Sequence, residues 1–145
     1  MKSVILSLLF SIACSVGYSQ YFLGLTKEEV ERQARVFDKG FIIVKQYGSP
    51  PQLFHIEWDS PSTDSKIAVI FEENSIISTL TSITPNDPKT TLNWMSSFEK
   101  KYQNIGPYEW IAKSGQESIK IKVVYSKEED KNVILFSKLR PSRPQ

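Results

Sequence analysis

Three polar residues on one predicted strand have the types and spacing of a small acid–base site. His55, Glu57 and Asp59 recur at every second position, so their side chains share one face of the strand. An imidazole beside a carboxylate can transfer protons, which predicts a small periplasmic hydrolase in which His55 acts with Glu57 or Asp59. Apolar residues occupy the alternate positions, however, and that pattern is also typical of a strand whose polar face is in water. We prefer the second interpretation.

The rest of the sequence offers little support for catalysis. His55 is the only histidine, and a lone histidine without partner histidines or cysteines makes a poor metal site. The sequence contains no G-x-S-x-G, G-x-G-x-x-G, P-loop or H-E-x-x-H motif. We therefore expect no cofactor and no metal, and we favour a binding module over an enzyme.

Two aromatic residues are the strongest sequence candidates for a binding surface. Tyr108 and Trp110 follow the turn Gly106-Pro107 and share one face of a short predicted strand. Exposed apolar patches often mark sites where proteins bind other molecules. Trp58 and Trp94, by contrast, lie on predicted core faces. The sequence thus predicts an exposed Tyr108–Trp110 pair that binds a partner.

The first 19 residues have the three parts of a bacterial export signal. Lys2 is basic, Val4 to Cys14 form an apolar run, and the small residues Gly17 and Ser19 precede the predicted cleavage site. The apolar run is shorter than the roughly 20 residues that a membrane-spanning helix needs. We therefore predict a signal peptide at residues 1–19 and no transmembrane span in the mature chain.

Cys14 is the only cysteine, and it raises an alternative to this cleavage. Ser11-Ile12-Ala13-Cys14 resembles a lipobox, although leucine is usual where this chain has Ser11. Cleavage before Cys14 would give a lipoprotein of the outer membrane, whereas cleavage after Ser19 gives an unanchored periplasmic or secreted protein. We prefer the second. The mature chain then has no cysteine and must be stabilised by packing without disulfides.

The charge balance argues against nucleic acid as a partner. The chain has 18 basic and 16 acidic residues, for a net charge of +2. So small a net charge creates no long-range field that would attract nucleic acid or an anionic membrane. The expected partner is another protein or a component of the cell envelope.

Capping signals predict two helices. Thr26 and Glu29 have capping-box spacing, Leu25 and Val30 are placed as a hydrophobic staple, and Gly40 marks the end of the first helix. In the second helix, Asp87 is the predicted N-cap and Pro88 the first residue. Four residues of the second helix recur on one predicted core side: Leu92, Met95, Phe98 and Tyr102.

Alternating and β-branched segments predict seven strands around these helices. Four lie between the helices and three follow the second one, which gives the order α-β-β-β-β-α-β-β-β. We predict a single α+β domain at residues 20–140, with two helices packed on a mainly antiparallel sheet, and a disordered tail at 141–145. A tandem α-β3 repeat is one interpretation of this order. The predicted strands are 41–47, 52–59, 66–71, 76–83, 108–112, 118–125 and 132–139.

The first helix and a later turn resemble a pattern found in exported α–β modules. The matching residues are Gly24 to Val30 and Gly48-Ser49-Pro50, which fit G-x-[ST]-x-x-[EQ]-V followed by G-x-P. This pattern opens the modules of SmpA/OmlA-type envelope lipoproteins and of β-lactamase-inhibitor-like proteins, although here an extra strand at Phe41 to Tyr47 separates its two parts. The resemblance implies an envelope protein that binds other proteins through its sheet and has no active site.

Overall fold

The computed structural model describes residues 22–47, 54–71, 77–114 and 117–139. The predicted signal peptide at 1–19, the turn at 72–75 and the tail at 141–145 lie outside the described residues. None of the helices within the described ranges combines the length and apolarity that a membrane crossing requires.

The described residues contain two helices and eight strands, which confirms the α+β class. Helix α1 is Lys27–Phe37 and helix α2 is Pro88–Lys101. The strands are β1 Lys45–Tyr47, β2 Phe54–Ser60, β3 Ser65–Phe71, β4 Leu80–Pro85, β5 Gln103–Gly106, β6 Glu109–Ser114, β7 Glu117–Ser126 and β8 Lys131–Lys138.

The strands form one antiparallel sheet in the order β1-β2-β3-β4-β8-β7-β6-β5. Each half of the chain supplies one helix followed by four strands in sequential pairing, and the halves meet where β4 pairs with β8. The predicted order lacked β5. The chain leaves α2 at Tyr102 in an extended conformation and pairs at once with β6, so the segment after the helix becomes an edge strand.

The two helix starts form as the capping signals predict. The Thr26 hydroxyl accepts a 3.3 Å hydrogen bond from the Glu29 backbone N–H, and the Glu29 carboxylate accepts one of 2.9 Å from the Thr26 N–H. Asp87 caps α2 by accepting from the Lys89 N–H at 2.9 Å. Because these signals depend on residues within one helical turn, they can be identified in the sequence alone.

One side of the sheet carries the hydrophobic core. A cross-strand row on this side runs through all eight strands. The helices contribute Val30, Ala34 and Phe98 to the same buried cluster. Leu92 was predicted to face the core but is 64% exposed, because the buried side of α2 centres on Phe98. The row consists of Gln46, Ile56, Val69, Thr81, Phe136, Ile121, Trp110 and Asn104.

The residues just before α1 are buried in the core and hydrogen-bonded to the segment that leads into β4. Phe22 and Leu23 are buried in the core. The Gly24 N–H donates to the Ser78 carbonyl at 2.9 Å, and the Ser78 N–H donates to the Leu25 carbonyl at 2.8 Å. The buried Ser78 hydroxyl donates to the Phe22 carbonyl. The described chain therefore enters the fold through a short stretch that is part of the core.

Candidate binding face

The side of the sheet opposite the core presents a second set of side chains. Because successive residues of a strand point to opposite faces, the neighbours of the core residues all face this way. We call this surface the open face. Its two main cross-strand rows are Lys45, Glu57, Ala68, Ser82, Leu135, Lys122 and Glu109, and His55, Ile70, Leu80, Ser137, Lys120, Ile111 and Gln103.

The middle of the open face is uncharged. It consists of six half-buried residues on β3, β4 and β8, which we call the central strip: Ala68, Ile70, Leu80, Ser82, Leu135 and Ser137. Helices α1 and α2 place Val30, Ala34 and Phe98 in the core on the other side, so neither covers this strip. Within the described part of the chain, the apolar and small polar side chains of the central strip therefore face solvent.

Glu57 is the centre of the charged border on the β2 side of the strip. Its carboxylate lies 4.0 Å from His55 Nε2 and 4.0 Å from Lys66 Nζ. The Lys66 ammonium also lies 3.6 Å from the Glu129 carboxylate in the β7–β8 turn. These contacts form a loose network along the edge of the central strip.

The predicted acid–base residues share this border, but their geometry does not make a catalytic pair. The 4.0 Å between His55 and Glu57 exceeds hydrogen-bonding distance, and Glu57 is shared with Lys66. Asp59 is exposed one pleat further along β2 and pairs in register with Lys66. In the described ranges, no three histidine, cysteine, aspartate or glutamate residues are grouped closely enough to hold a metal ion.

Glu109 organises the border on the other side of the strip. Its carboxylate lies 3.2 Å from Lys120 Nζ and 3.1 Å from Lys122 Nζ, both on the adjacent strand β7. The hydrogen bonds from Lys122 and Lys120 lower the pKa of Glu109 below its usual value. The carboxylate therefore stays ionised between two cations, and both lysines are held beside the central strip.

The predicted aromatic pair is wrong as an exposed surface. Trp110 is only 3% exposed; its indole Nε1 donates a 2.7 Å hydrogen bond to Glu99, and its ring packs 5.5 Å from Phe98. Tyr108 lies in the turn before β6 with a positive φ of 59° and is 60% exposed. The strand begins only at Glu109, so the two aromatic residues do not share a strand face.

The central strip was not predicted, although the sequence contains a signal for it. A strand with one solvated face alternates apolar and polar residues, whereas a strand that is apolar on both faces does not. The segments 67–71 and 133–136 are uninterrupted apolar runs. Read in this way, they predict that β3 and β8 carry apolar side chains on both faces.

Comparisons with known proteins find no counterpart, since no protein-family model, no curated protein and no solved structure matches the chain. The resemblance of Gly24 to Val30 to exported α–β modules stays a prediction.

Proposed function

We propose that this chain is an exported, non-enzymatic module that binds a protein partner through its open face. The observation that carries the proposal is the uncharged central strip in the middle of an eight-stranded sheet, with both described helices on the opposite side. Apolar surface of this kind is stabilised when a partner removes it from water.

The composition of the open face matches a protein partner. Protein interfaces commonly have an apolar centre and a polar rim. Here the central strip supplies the centre, while Glu57 with Lys66, and Glu109 with two lysines, supply the rim. Eight strands about 4.8 Å apart and about six residues long present roughly 750 Å². This area is close to the surface of about 800 Å² that each partner buries in a stable interface. The partner we expect has an apolar patch bordered by charges of both signs.

Export through the first 19 residues is part of the proposal. A chain cut after Ser19 keeps Phe22 and Leu23, which are buried, and keeps the pairing of Gly24 with Ser78. The measurement is the intact mass of the protein recovered from the periplasm, the medium and the membrane fraction of a producing bacterium. A mass that corresponds to a chain starting at Gln20 supports the unanchored form. A mass that corresponds to a diacylated or triacylated chain starting at Cys14 would contradict the unanchored form and support the lipoprotein.

The binding proposal is tested with two matched variants. Leu135→Glu places a charge in the central strip, and Leu92→Glu places the same charge on the exposed side of α2. A protein retained from envelope extract by the unsubstituted chain is identified, purified and titrated against both variants by isothermal calorimetry. We expect Leu135→Glu to weaken binding at least tenfold and Leu92→Glu to leave it unchanged, with circular dichroism showing that both variants fold.

Two outcomes would overturn the proposal. One is equal binding by the unsubstituted chain and Leu135→Glu, because the open face would then not be the contact. The other is turnover of the captured protein or of model ester and peptide substrates that disappears in His55→Ala. That result would favour the hydrolase in which His55 acts with Glu57.

A further inference from the structure

A groove runs along the outer side of α2, on the opposite side of the sheet from the open face. Its volume is about 300 Å³. Two parallel ridges of one helix form it, each with a residue on three successive turns. The aromatic ridge is Trp94, Phe98 and Tyr102, and the polar ridge is Asn93, Ser97 and Lys101.

The aromatic ridge is held in place by the core beneath it. Phe98 is buried and forms the floor, and its ring lies 5.8 Å from that of Trp94 and 6.0 Å from that of Tyr102. Trp94 also contacts Phe136 of β8 edge-on at 6.3 Å. The indole is thus fixed on its inner side while its outer side remains accessible in the groove.

The polar ridge offers one hydrogen-bonding group per turn, ending in a cation. Asn93 supplies an amide, Ser97 a hydroxyl and Lys101 an ammonium. Across the described residues, Lys101 has no carboxylate within 4.0 Å, in contrast to Lys120 and Lys122, which both pair with Glu109. The ammonium at the end of the groove is therefore available to an anionic ligand.

We propose that this groove binds an acidic saccharide. A pyranose ring has C–H groups on its faces and hydroxyls on its rim, so it suits a groove with an aromatic wall on one side and hydrogen-bonding groups on the other. The face of an aromatic ring carries partial negative charge and attracts such C–H groups. Lys101 would pair with the carboxylate of a uronic acid residue.

The length of the groove favours a chain of sugars over a single ring. Trp94 and Tyr102 are eight residues apart, which corresponds to about 12 Å along a helix. Phe98 is buried in the floor, so the sugar units at the two ends of the groove would meet the Trp94 and Tyr102 rings, and the unit between them would lie over Phe98. This site is independent of the protein-binding face and would give the domain a second ligand on its other side.

The test uses the fluorescence of Trp94. Trp58 and Trp110 are buried, so Trp94 is the tryptophan among the described residues that a ligand in the groove would contact. The mature chain is titrated with trigalacturonic acid and, as the neutral control, with its methyl ester. We expect a saturable fluorescence change with the acid and at least tenfold weaker binding of the ester. A Trp94→Phe variant should lose the signal.

Two neighbouring lysines provide matched variants for the charge. Lys101→Gln removes the cation that lines the groove, and Lys100→Gln removes one on the same helical turn that does not line it. We expect Lys101→Gln to weaken binding of the acid at least tenfold and Lys100→Gln to leave it unchanged. Equal affinity for the acid and its ester, no saturation at millimolar concentration, or binding of triglutamate in place of the sugar would each overturn the proposal.

Discussion

The indole Nε1 of Trp58 donates a 2.8 Å hydrogen bond to the carboxylate of Asp38, and both residues are almost completely buried. The same carboxylate accepts hydrogen bonds from the Ser60 hydroxyl at 2.9 Å and from the backbone and side chain of Ser62. Asp38 is also the C-cap of α1, with its N–H bonded to Ala34. One side chain therefore joins the end of α1 to β2 and to the loop after β2.

Trp58→Phe should destabilise the fold through this hydrogen bond. The phenyl ring keeps part of the packing against Phe22 and Phe41, but the buried carboxylate loses a donor. Loss of one partner of a buried polar group lowers the free energy of unfolding by about 1–3 kcal/mol. The smaller phenyl ring also makes fewer packing contacts than the indole, which adds to this loss. Urea unfolding measures the change, with Tyr108→Phe, a substitution at a residue that is 60% exposed, as control. A difference between the two variants below about 0.5 kcal/mol would contradict the prediction.

The stability of the fold should fall in acid because of Asp38. Burial alone would raise the pKa of this carboxyl, but hydrogen bonds from Ser62, Trp58 and Ser60 outweigh burial and lower the pKa. A carboxyl with a lower pKa in the folded state binds fewer protons there than in the unfolded chain. Its contribution is therefore present above the unfolded pKa of about 3.9 and lost as the pH falls through the folded value.

Urea unfolding from pH 7 down to pH 2 measures this dependence, and Asp38→Asn is the informative variant. Asparagine keeps the size of the side chain but does not titrate. We expect the variant to be less stable at neutral pH and to lose less stability than the unsubstituted chain on acidification. Parallel stability curves for the two proteins would show that Asp38 does not carry the acid dependence.

Features set by neighbouring residues could be predicted from the sequence. The capping box of Thr26 and Glu29 and the N-cap at Asp87 act within one turn, and the alternation in β2 fixes which side chains face the core. The placement of His55 and Glu57 on one outer face follows from the same alternation. These predictions succeed because each depends on residues close together in the chain.

Features set by distant residues could not be predicted in this way. Asp38 sits in the sequence as an ordinary charged residue after a helix, and only contact with Trp58 and Ser60 explains its burial. Strand β5 lacks β-branched periodicity and forms because it can pair with β6. The predicted strand from Phe41 is shortened to Lys45–Tyr47, since the Phe41 N–H turns back to the Asp38 carbonyl.

The phenol of Tyr125 should titrate above its usual range. Its hydroxyl donates to the Asp130 carboxylate, and this hydrogen bond raises the pKa of Tyr125 because it favours the protonated phenol. Asp130→Asn should return the pKa toward about 10. Asparagine tolerates the positive φ of 52° at this position, so the turn should be retained. Ultraviolet titration, with the Tyr125→Phe spectrum subtracted, isolates this tyrosine, and equal values with and without Asp130 would contradict the assignment.

Trp110 and Tyr108 should differ sharply in what they contribute to stability. Trp110→Ala removes a buried ring that packs on Phe98 and donates to Glu99, so it should cost about 3–5 kcal/mol. Tyr108→Ala removes an exposed ring and leaves the Tyr108 carbonyl bonded to the Val123 N–H, so its cost should stay within about 0.5 kcal/mol. Urea unfolding of both variants measures the contrast. Similar small losses of unfolding free energy in both variants would indicate that Trp110 is exposed, and the aromatic pair would again be a candidate binding surface.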